Sequence, residues 1–585
     1  MRRWSWLGLL GLMACFDEEP PAPPTPGGVP GPPQVCPFLG QGAPLPQRAS
    51  PWASVRDAPP REGAEPVLIR YRSGHPVRVE HLRYDWPRLQ ALAARLTPEE
   101  VRSLAKDPRV LAIAPDGPVF VLGEPSREGR PREGSTPSGG EAGELTESLR
   151  MIQAPEVWDA NGDGVLDAGA PTGEGIQVCV IDSGWDDRHP ELRAAYAGGW
   201  DFLEADDDPR DYSHAERRWG GGHGTHVAGT LAARLGSGGR VRLGSATGGM
   251  VGVAPGASLL IARVLDLQGR GRISDVIAAL EWCRSRGAHI ATLSLASPQP
   301  HELLRQTLEE ALAAGMLSVA ASGNSGTEDP QTGPPIAHPA AYPSVLAVGA
   351  VDLQGQHPLF SQAGPELGLV APGVDVLSTS ILGAADCSAV EAGGRILSTQ
   401  VVEYSARGDY TGPLVVCDLG EGERPCDGAV ARDGFVALVA PGGLPLAEKV
   451  SRVVEQGARA VLLPNDDPRL GEGFFSFGAP GAWPLALSVS HAAGLELRAL
   501  AGTRVRVSFT GVDYVRLSGT STAVPYVSGT AALVWSARPE LTAAQVRELL
   551  RRSARDLGPP GHDVTFGWGL VQARDALGLL ADLPP

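Results

Sequence analysis

Short apolar runs alternate with longer stretches of helical period over residues 150–381. Ile176-Gln177-Val178-Cys179-Val180-Ile181, Leu259-Leu260-Ile261-Ala262 and Ile290-Ala291-Thr292-Leu293-Ser294-Leu295 read as strands, as do Leu317-Ser318-Val319-Ala320-Ala321 and Val345-Leu346-Ala347-Val348. Between them, Ile273 to Arg286 and Glu302 to Ala314 read as helices. Near-continuous apolar strands alternating with helices predict an α/β fold whose parallel sheet is covered on both faces. The alternation stops near residue 382. A glycine-rich, β-leaning segment follows over 382–511, with one helix from Leu446 to Glu455, and the alternation resumes over 512–578. That break predicts one domain inserted into another.

Residues 64–122 form a smaller α+β pattern. Val67-Leu68-Ile69-Arg70-Tyr71 reads as a strand, and Leu89, Leu92 and Leu96 fall at helical spacing after Trp86-Pro87. Thr97-Pro98-Glu99-Glu100 carries a helix start, with Thr97 as cap and Glu100 three residues on. Val110-Leu111-Ala112-Ile113 and Val119-Phe120-Val121-Leu122 read as short strands. Residues 123–149 turn to Gly, Glu, Ser and Pro, a linker suited to proteolysis, and 16–63 form a Pro/Gly-rich tether without a core.

The 585 residues exceed one ordinary domain, and 75 glycines and 53 prolines leave room for long loops. A net charge of −17 argues against nucleic acid, which needs a basic face. At the start, Arg2 and Arg3 precede an apolar run from Trp4 to Ala14, too short to span a bilayer. The run ends Leu12-Met13-Ala14-Cys15, which resembles the lipobox of bacterial lipoproteins. That resemblance implies export, cleavage before Cys15 and acylation of its thiol, with membrane contact only through the lipid. Phe16 follows, which favours an outer or cell-surface location; a plain secreted form is the alternative. Six of the seven cysteines remain. Cys179 and Cys283 sit in apolar patterns and are expected as buried free thiols, whereas a pair among Cys387, Cys417 and Cys426 is expected to bond.

The chemistry gathers at three points. Asp182 ends the first strand of the α/β region, where ligands bind in open sheets. His223 opens a run of small residues, Gly224-Thr225-His226-Val227-Ala228-Gly229-Thr230. Ser521 stands before a second such run, with Pro525 read into the first helical turn, so the hydroxyl is placed at a positive helix end. A serine needs a base, and the base needs an orienting carboxylate.

Val180-Ile181-Asp182-Ser183-Gly184, His223-Gly224-Thr225-His226-Val227-Ala228-Gly229-Thr230 and Gly519-Thr520-Ser521-Thr522-Ala523-Val524-Pro525 together resemble the three motifs of the subtilisin-like serine proteases. The resemblance implies a three-layer fold with a mostly parallel central sheet over 150–381 and 512–578. It gives Ser521 the role of nucleophile, His223 that of base and Asp182 that of orienting carboxylate. His226 falls at a non-catalytic position. Ala320-Ala321-Ser322-Gly323-Asn324 resembles the oxyanion segment, with Asn324 as donor beside Gly323, and Ser294-Leu295-Ala296-Ser297 resembles the substrate-binding strand. Thr522, Tyr526, Ala296 and Ser297 depart from the residues usual in the family, which bears on pocket shape. Residues 64–122 resemble the family's inhibitory propeptide, which implies an intramolecular inhibitor cut within 123–149. Residues 382–511 resemble a β-rich protease-associated (PA) domain. The expected activity is hydrolysis of protein or peptide substrates by a monomer. A silent peptide-binding protein and a serine esterase or acyl transferase remain open alternatives.

No cofactor is needed for that chemistry, and the chain carries no His–Glu–His zinc signature. Asp159, Asn161, Asp163 and Asp167 place oxygen atoms at the alternate positions of a calcium loop, with Ala170 where the closing glutamate would stand, and a structural calcium ion is considered there.

Overall fold

The computed structural model describes residues 62–122, 144–211, 222–236, 249–329, 332–383, 385–417, 426, 433–439, 444–468, 471–473, 475–479 and 481–582. The expected signal and Cys15 acylation lie outside these residues, as do all but the last residues of the tether and the maturation linker; the linker's end, expected to run to 149, already enters the helix Glu147–Met151. Among the described residues, no helix is long and apolar enough to cross a membrane.

Seven parallel strands form the central sheet, in the order Leu367–Pro372, Val345–Val351, Leu317–Ala321, Ile290–Leu293, Gln177–Asp182, Ser258–Arg263 and Tyr196–Asp201. Six of them are buried along most of their length, which is why they lack a polar alternation; the edge strand Tyr196–Asp201 is buried only at Asp201. Two helices rich in small residues, His223–Ala232 (the histidine helix) and Thr520–Ala537 (the serine helix), pack against each other. The register places them relative to the sheet. Val180 pairs with Thr292, whose Oγ1 donates to Ser528 Oγ of the serine helix at 2.9 Å. Cys179, one residue earlier and so on the opposite face, bonds to Cys283 of the helix Ile273–Ser285. The structure is therefore three-layered around one apolar core.

That disulfide overturns the expectation of free thiols at Cys179 and Cys283. Each lies in an apolar local pattern, but the helix crosses the strand so that the two side chains meet. Cys417 bonds to Cys426.

The N-terminal unit is a four-stranded antiparallel sheet, ordered Leu82–Trp86, Ala91–Leu96, Glu65–Tyr71, Val110–Pro115, with one helix at Pro98–Leu104. Thr97 and Glu100 form the expected capping box. The expected helix through Leu89, Leu92 and Leu96 is instead a turn, with Gln90 at φ 52°, and a strand. Both faces of this strand are buried. Leu92, Ala94 and Leu96 enter the unit's own core, while Ala91 and Ala93 join Leu68, Tyr84, Trp86 and Leu89 in the main core. A doubly buried strand has no period of two, so the leucine spacing mimicked a helix. Arg83 and Tyr84 reach Asp275 at 2.8 and 2.9 Å, and Arg88 Nε reaches Glu281 at 3.0 Å. Asp116 caps the same helix, Ile273–Ser285, by accepting from the Ser274 N–H and Oγ–H at 2.9 and 2.7 Å.

Within 382–511 an eight-stranded mixed sheet carries Phe435–Val439 and Ala458–Pro464 in parallel at its centre. Val436 and Leu438 face the core that includes helix His491–Ala499; Phe435, Ala437 and Val439 face the core that includes helix Leu446–Glu455. The segment is thus α/β rather than simply β-rich, with one helix at each buried face. Its two chain ends are held together where Val376–Thr379 pairs antiparallel with Tyr514–Leu517.

A cross-link closing a span of 104 residues restricts the unfolded chain by roughly 4–5 kcal/mol in the chain-entropy model. Cys283→Ala is therefore expected to lower the thermal midpoint well beyond the effect of one lost buried sulfur. Alkylation of the unreduced, denatured chain should leave the peptides containing Cys179 and Cys283 unmodified. Finding either residue alkylated would disprove the bond.

Candidate active site

Asp182 is the last residue of the central strand Gln177–Asp182, flanked by Ser258–Arg263 on one side and Ile290–Leu293 on the other. The chain lays later strands first to one side of it and then to the other. That is the switch point at which open α/β sheets leave a crevice beyond the strand ends. The carboxylate is 1% exposed, so its charge needs partners. Ser183 N–H donates to Oδ1 at 2.7 Å, and His223 Nδ1 lies 2.8 Å from Oδ1 and 3.1 Å from Oδ2. Gly224 makes that approach possible, since a Cβ there would lie 2.2 Å from the Gly184 carbonyl oxygen. Burial pulls the His223 pKa down, but the charge and hydrogen bond of Asp182, helped by Asp211, outweigh it and leave the ring above its ordinary value. His223 Nε2 is buried and makes no hydrogen bond to a described residue. His226, three residues on, is held neutral with its pKa near 3 by burial, and its Nε2 lies 3.0 Å from the Val376 carbonyl.

Ser521 is the second residue of the serine helix. Pro525 is its sixth, a turn later than the sequence reading placed it. A proline there has no N–H for the carbonyl of residue 521. Ser294 Oγ–H takes that place, donating to the Ser521 carbonyl at 3.0 Å. The polar residue that ends the strand Ile290–Leu293 thus satisfies the first turn of the helix that carries Ser521.

Asn324 follows the strand Leu317–Ala321. Its Oδ1 accepts from both Thr520 N–H and Thr520 Oγ–H at 2.8 Å, which fixes the amide so that Nδ2 faces the crevice. Gly323 has φ 119°, and a Cβ there would lie 2.0 Å from Gln362 Oε1, so the turn admits only glycine.

The crevice is filled by the chain itself. Pro118–Val121 enters as a strand between Leu295–Ala296 and Arg270–Arg272, antiparallel to both. Val121 pairs with Leu295 and Phe120 with Ala296. The strand delivers the Leu122 carbonyl oxygen to a point 3.3 Å from Ser521 Oγ and 3.3 Å from Asn324 Nδ2. Asp182, His223, Ser521, Asn324, Gly323, Ser294, Leu295 and Ala296 are therefore all brought to one edge of the sheet.

Two parts of the site were not read from the sequence. Arg270-Gly271-Arg272 is too short and too polar to stand out as a strand. Asp211 lies in an unremarkable loop, yet it is 5% exposed, and its Oδ2 accepts from Ser183 Oγ–H at 2.9 Å and Gly222 N–H at 2.8 Å. Ser183 Oγ in turn accepts from Gly224 N–H at 3.0 Å. The N–H groups on either side of His223 are thus held by one carboxylate and the hydroxyl it orients. Burial, with the nearby charge of Asp182, pushes the Asp211 carboxyl up to about 7.

The Asp159 loop stands apart from this edge. Asp159 accepts from Asp163 N–H and Gly164 N–H at 3.0 Å, Asn161 from Asp163 N–H at 2.9 Å, Asp163 from Val165 N–H at 2.9 Å, and Asp167 from Ala160 N–H at 2.7 Å. Its oxygens are used by its own backbone, and among the described residues no group of three or more His, Cys, Asp or Glu side chains is gathered for a metal.

Asp211→Ala leaves two buried donors unsatisfied and is expected to cost about 2–4 kcal/mol, whereas Asp211→Asn keeps an acceptor oxygen. The folded pKa near 7 lies above the ordinary 3.8, so the wild type loses stability from this group as pH rises from about 4 to 7. Thermal midpoints at pH 5 and pH 8 should therefore fall further for the wild type than for Asp211→Asn. Equal falls would contradict the burial of an ionisable Asp211.

The profile described as Subtilase family matches residues 173–408 and 476–569, more than half of the chain. Alkaline protease of Alkalihalobacillus alcalophilus is 36% identical over 303 residues, 52% of this chain and 65% of that protein. Major intracellular serine protease of Bacillus subtilis (strain 168) is 34% identical over 323 residues, 53% of this chain and 92% of that protein. The crystal structure of the psychrophilic subtilisin-like protease Apa1 from the Antarctic psychrotroph Pseudoalteromonas sp. AS-11 matches at 28% identity and a TM-score of 0.49, covering 75% of this chain and 99% of that one. By the family match over more than half of its length and its identity of 34% to a relative covered almost in full, the chain belongs to the subtilase family.

Proposed function

We propose that this chain is a serine endopeptidase made as a precursor that cuts itself between Leu122 and Gly123 and is then held inhibited by the excised unit. The observation that carries the proposal is the Leu122 carbonyl oxygen, 3.3 Å from both Ser521 Oγ and Asn324 Nδ2, at the end of a strand paired on both sides. The sequence reading expected a cut inside 123–149; the peptide bond singled out here lies at the very start of that stretch.

In this reading, Ser521 Oγ attacks the Leu122 carbonyl carbon while His223 Nε2 takes the hydroxyl proton. Asp182, fixed through Nδ1, stabilises the imidazolium and keeps Nε2 turned to the serine. The carbonyl oxygen becomes an oxyanion, and the Asn324 amide, already oriented by Thr520, donates to it. Loss of one such donor costs about 3 kcal/mol of transition-state stabilisation in enzymes of this kind. His223 then gives its proton to the Gly123 amine as the C–N bond breaks. Water, activated by the same imidazole, hydrolyses the ester between Ser521 and Leu122. Other protein substrates follow once the strand leaves, pairing with Leu295–Ala296 and Arg270–Arg272 as added strands. An exported, lipid-anchored form with Cys15 acylated and a PA-like role for 382–511 in admitting substrates complete the proposal. Calcium on the Asp159 loop would be structural and takes no part in the chemistry.

Mass spectrometry of purified protein should find a new N-terminus at Gly123 in the wild type and none in Ser521→Ala. The same cut in both chains would mean that another protease makes it, and an intact wild type would remove the self-processing step.

The excised unit should be released more readily as pH rises. In the complex, burial and the neighbouring charge of Asp275 lift the Asp116 carboxyl to about 6, from an ordinary 3.8. The complex therefore holds a proton that the separated unit gives up, and affinity falls between pH 4 and 6 by at most roughly a hundredfold, then levels. Asp116→Asn should flatten this dependence. Affinity that rises with pH over that window would contradict the assignment.

A further inference from the structure

Arg270-Gly271-Arg272 forms one wall of the crevice, and its register against the chain's own strand is fixed: Pro118 pairs with Arg272, Val119 with Gly271, Phe120 with Arg270. Side chains of a strand alternate between faces. Val119 and Gly271 take the inner one. Val119 is 0% exposed, and a Cβ on Gly271 would lie 2.2 Å from the Val264 carbonyl oxygen and 3.1 Å from Val119 Cγ2. Phe120, 40% exposed, and Arg270 therefore share the outer face as direct cross-strand neighbours.

Resting on the endopeptidase reading above, we propose that Arg270 makes this cleft favour substrates with an acidic residue two positions before the one whose carbonyl is attacked, the place Phe120 takes in the precursor. Directly opposed residues in an antiparallel pair hold their Cβ atoms about 4.5–5.5 Å apart, within reach of an Arg–carboxylate pair. The Arg270 guanidinium makes no ion pair with a described residue and is exposed. The nearest acid in its own turn, Asp266, uses Oδ1 to accept the N–H groups of Gln268 and Arg270, both at 2.9 Å. Ala296, opposite on the other side, is apolar and adds no competing charge.

Arg272 differs. It lies close enough to Asp116 and Asp275 for its charge to oppose the upward shift that burial gives both carboxyls, and Asp275 stays in the catalytic domain after the N-terminal unit has gone. Its charge is already answered, so the position of Pro118 gains little from an acid. The chain's net charge of −17 repels acidic substrates at long range, but exposed charges are screened beyond about 8 Å at physiological salt. The cross-strand contact is shorter than that, so the local arginine decides.

The test uses the self-processed chain and peptides Pro-Val-Xaa-Val-Leu with a chromogenic amide after Leu, copying Pro118 to Leu122 with Xaa as Glu, Gln or Lys. The ratio of kcat/KM for Glu over Gln should be about two- to fivefold in low salt and shrink towards one in 0.5 M salt. Arg270→Gln should abolish the ratio, and Arg270→Glu should turn the preference to Lys. A Glu in place of the first Pro should give no comparable gain. A ratio of one in low salt, a ratio that survives in Arg270→Gln, or an equal gain at the first position would each overturn the inference while leaving the enzyme reading intact. Cleavage of none of the peptides, with Ser521 unreactive to a fluorophosphonate, would remove the enzyme reading and this inference together.

Discussion

A carboxylate buried at the end of an apolar strand is the constraint on which the rest depends. Asp182 is carried to the sheet edge by Val178, Cys179, Val180 and Ile181, all fully buried. A charge left there without partners would cost more than any one packing contact returns. Its partners therefore determine what surrounds it. Ser183 turns its N–H back to the carboxylate and its hydroxyl to Asp211 and Gly224. The histidine helix begins where His223 can meet the carboxylate, and the contact of Gly224 with Gly184 lets it come close enough. The pairing of Asp182 with His223 is in this sense the solution to a solvation problem set by the strand.

The same reasoning explains what could be read in advance. Residues that must be small, or that must be polar in a dry place, leave marks in the sequence: Asp182-Ser183-Gly184, Gly222-His223-Gly224 and Gly323-Asn324 are such marks. The five inner strands of the central sheet were legible because burial on both faces removes polar residues, and Thr97 to Glu100 because capping is local; the two edge strands, Tyr196–Asp201 and Leu367–Pro372, were not read. The failures share the opposite cause. Ala91–Leu96 is buried on both faces within a hairpin, so its leucines carried no strand period. Cys179 and Cys283 meet only because a helix crosses a strand. Pro525 was assigned to the first turn because its missing N–H is harmless there, but Ser294, more than two hundred residues away, makes the later position equally tolerable. Asp211 and Arg270 acquire their roles from neighbours that no local window contains.

Residues 382–511 enter and leave through adjacent antiparallel strands, Val376–Thr379 and Tyr514–Leu517. A long insertion closed at its base in this way adds little to the entropy of joining its ends. Leu382 N–H donates to Asp186 and Gly383 N–H to Asp513, which ties the first residues of the insertion to the base of the catalytic domain. The outgoing strand runs directly into Gly519 and the serine helix. Ser378 and Thr379 on the incoming strand donate to the His226 and Thr225 carbonyls of the histidine helix. The stem of the insertion is thus braced against the helix that carries His223 and continues into the one that carries Ser521.

The bond from Ser294 to the Ser521 carbonyl has a consequence for how this molecule can change. The substitution that would most simply reshape the wall of the crevice also removes the donor that replaces the proline's missing N–H. A chain drifting toward a new substrate repertoire therefore cannot treat that wall as an independent module. Variation there is filtered first by whether Ser521 stays in place, which channels innovation toward neighbours such as Ala296 and Arg270, whose side chains have no such second duty.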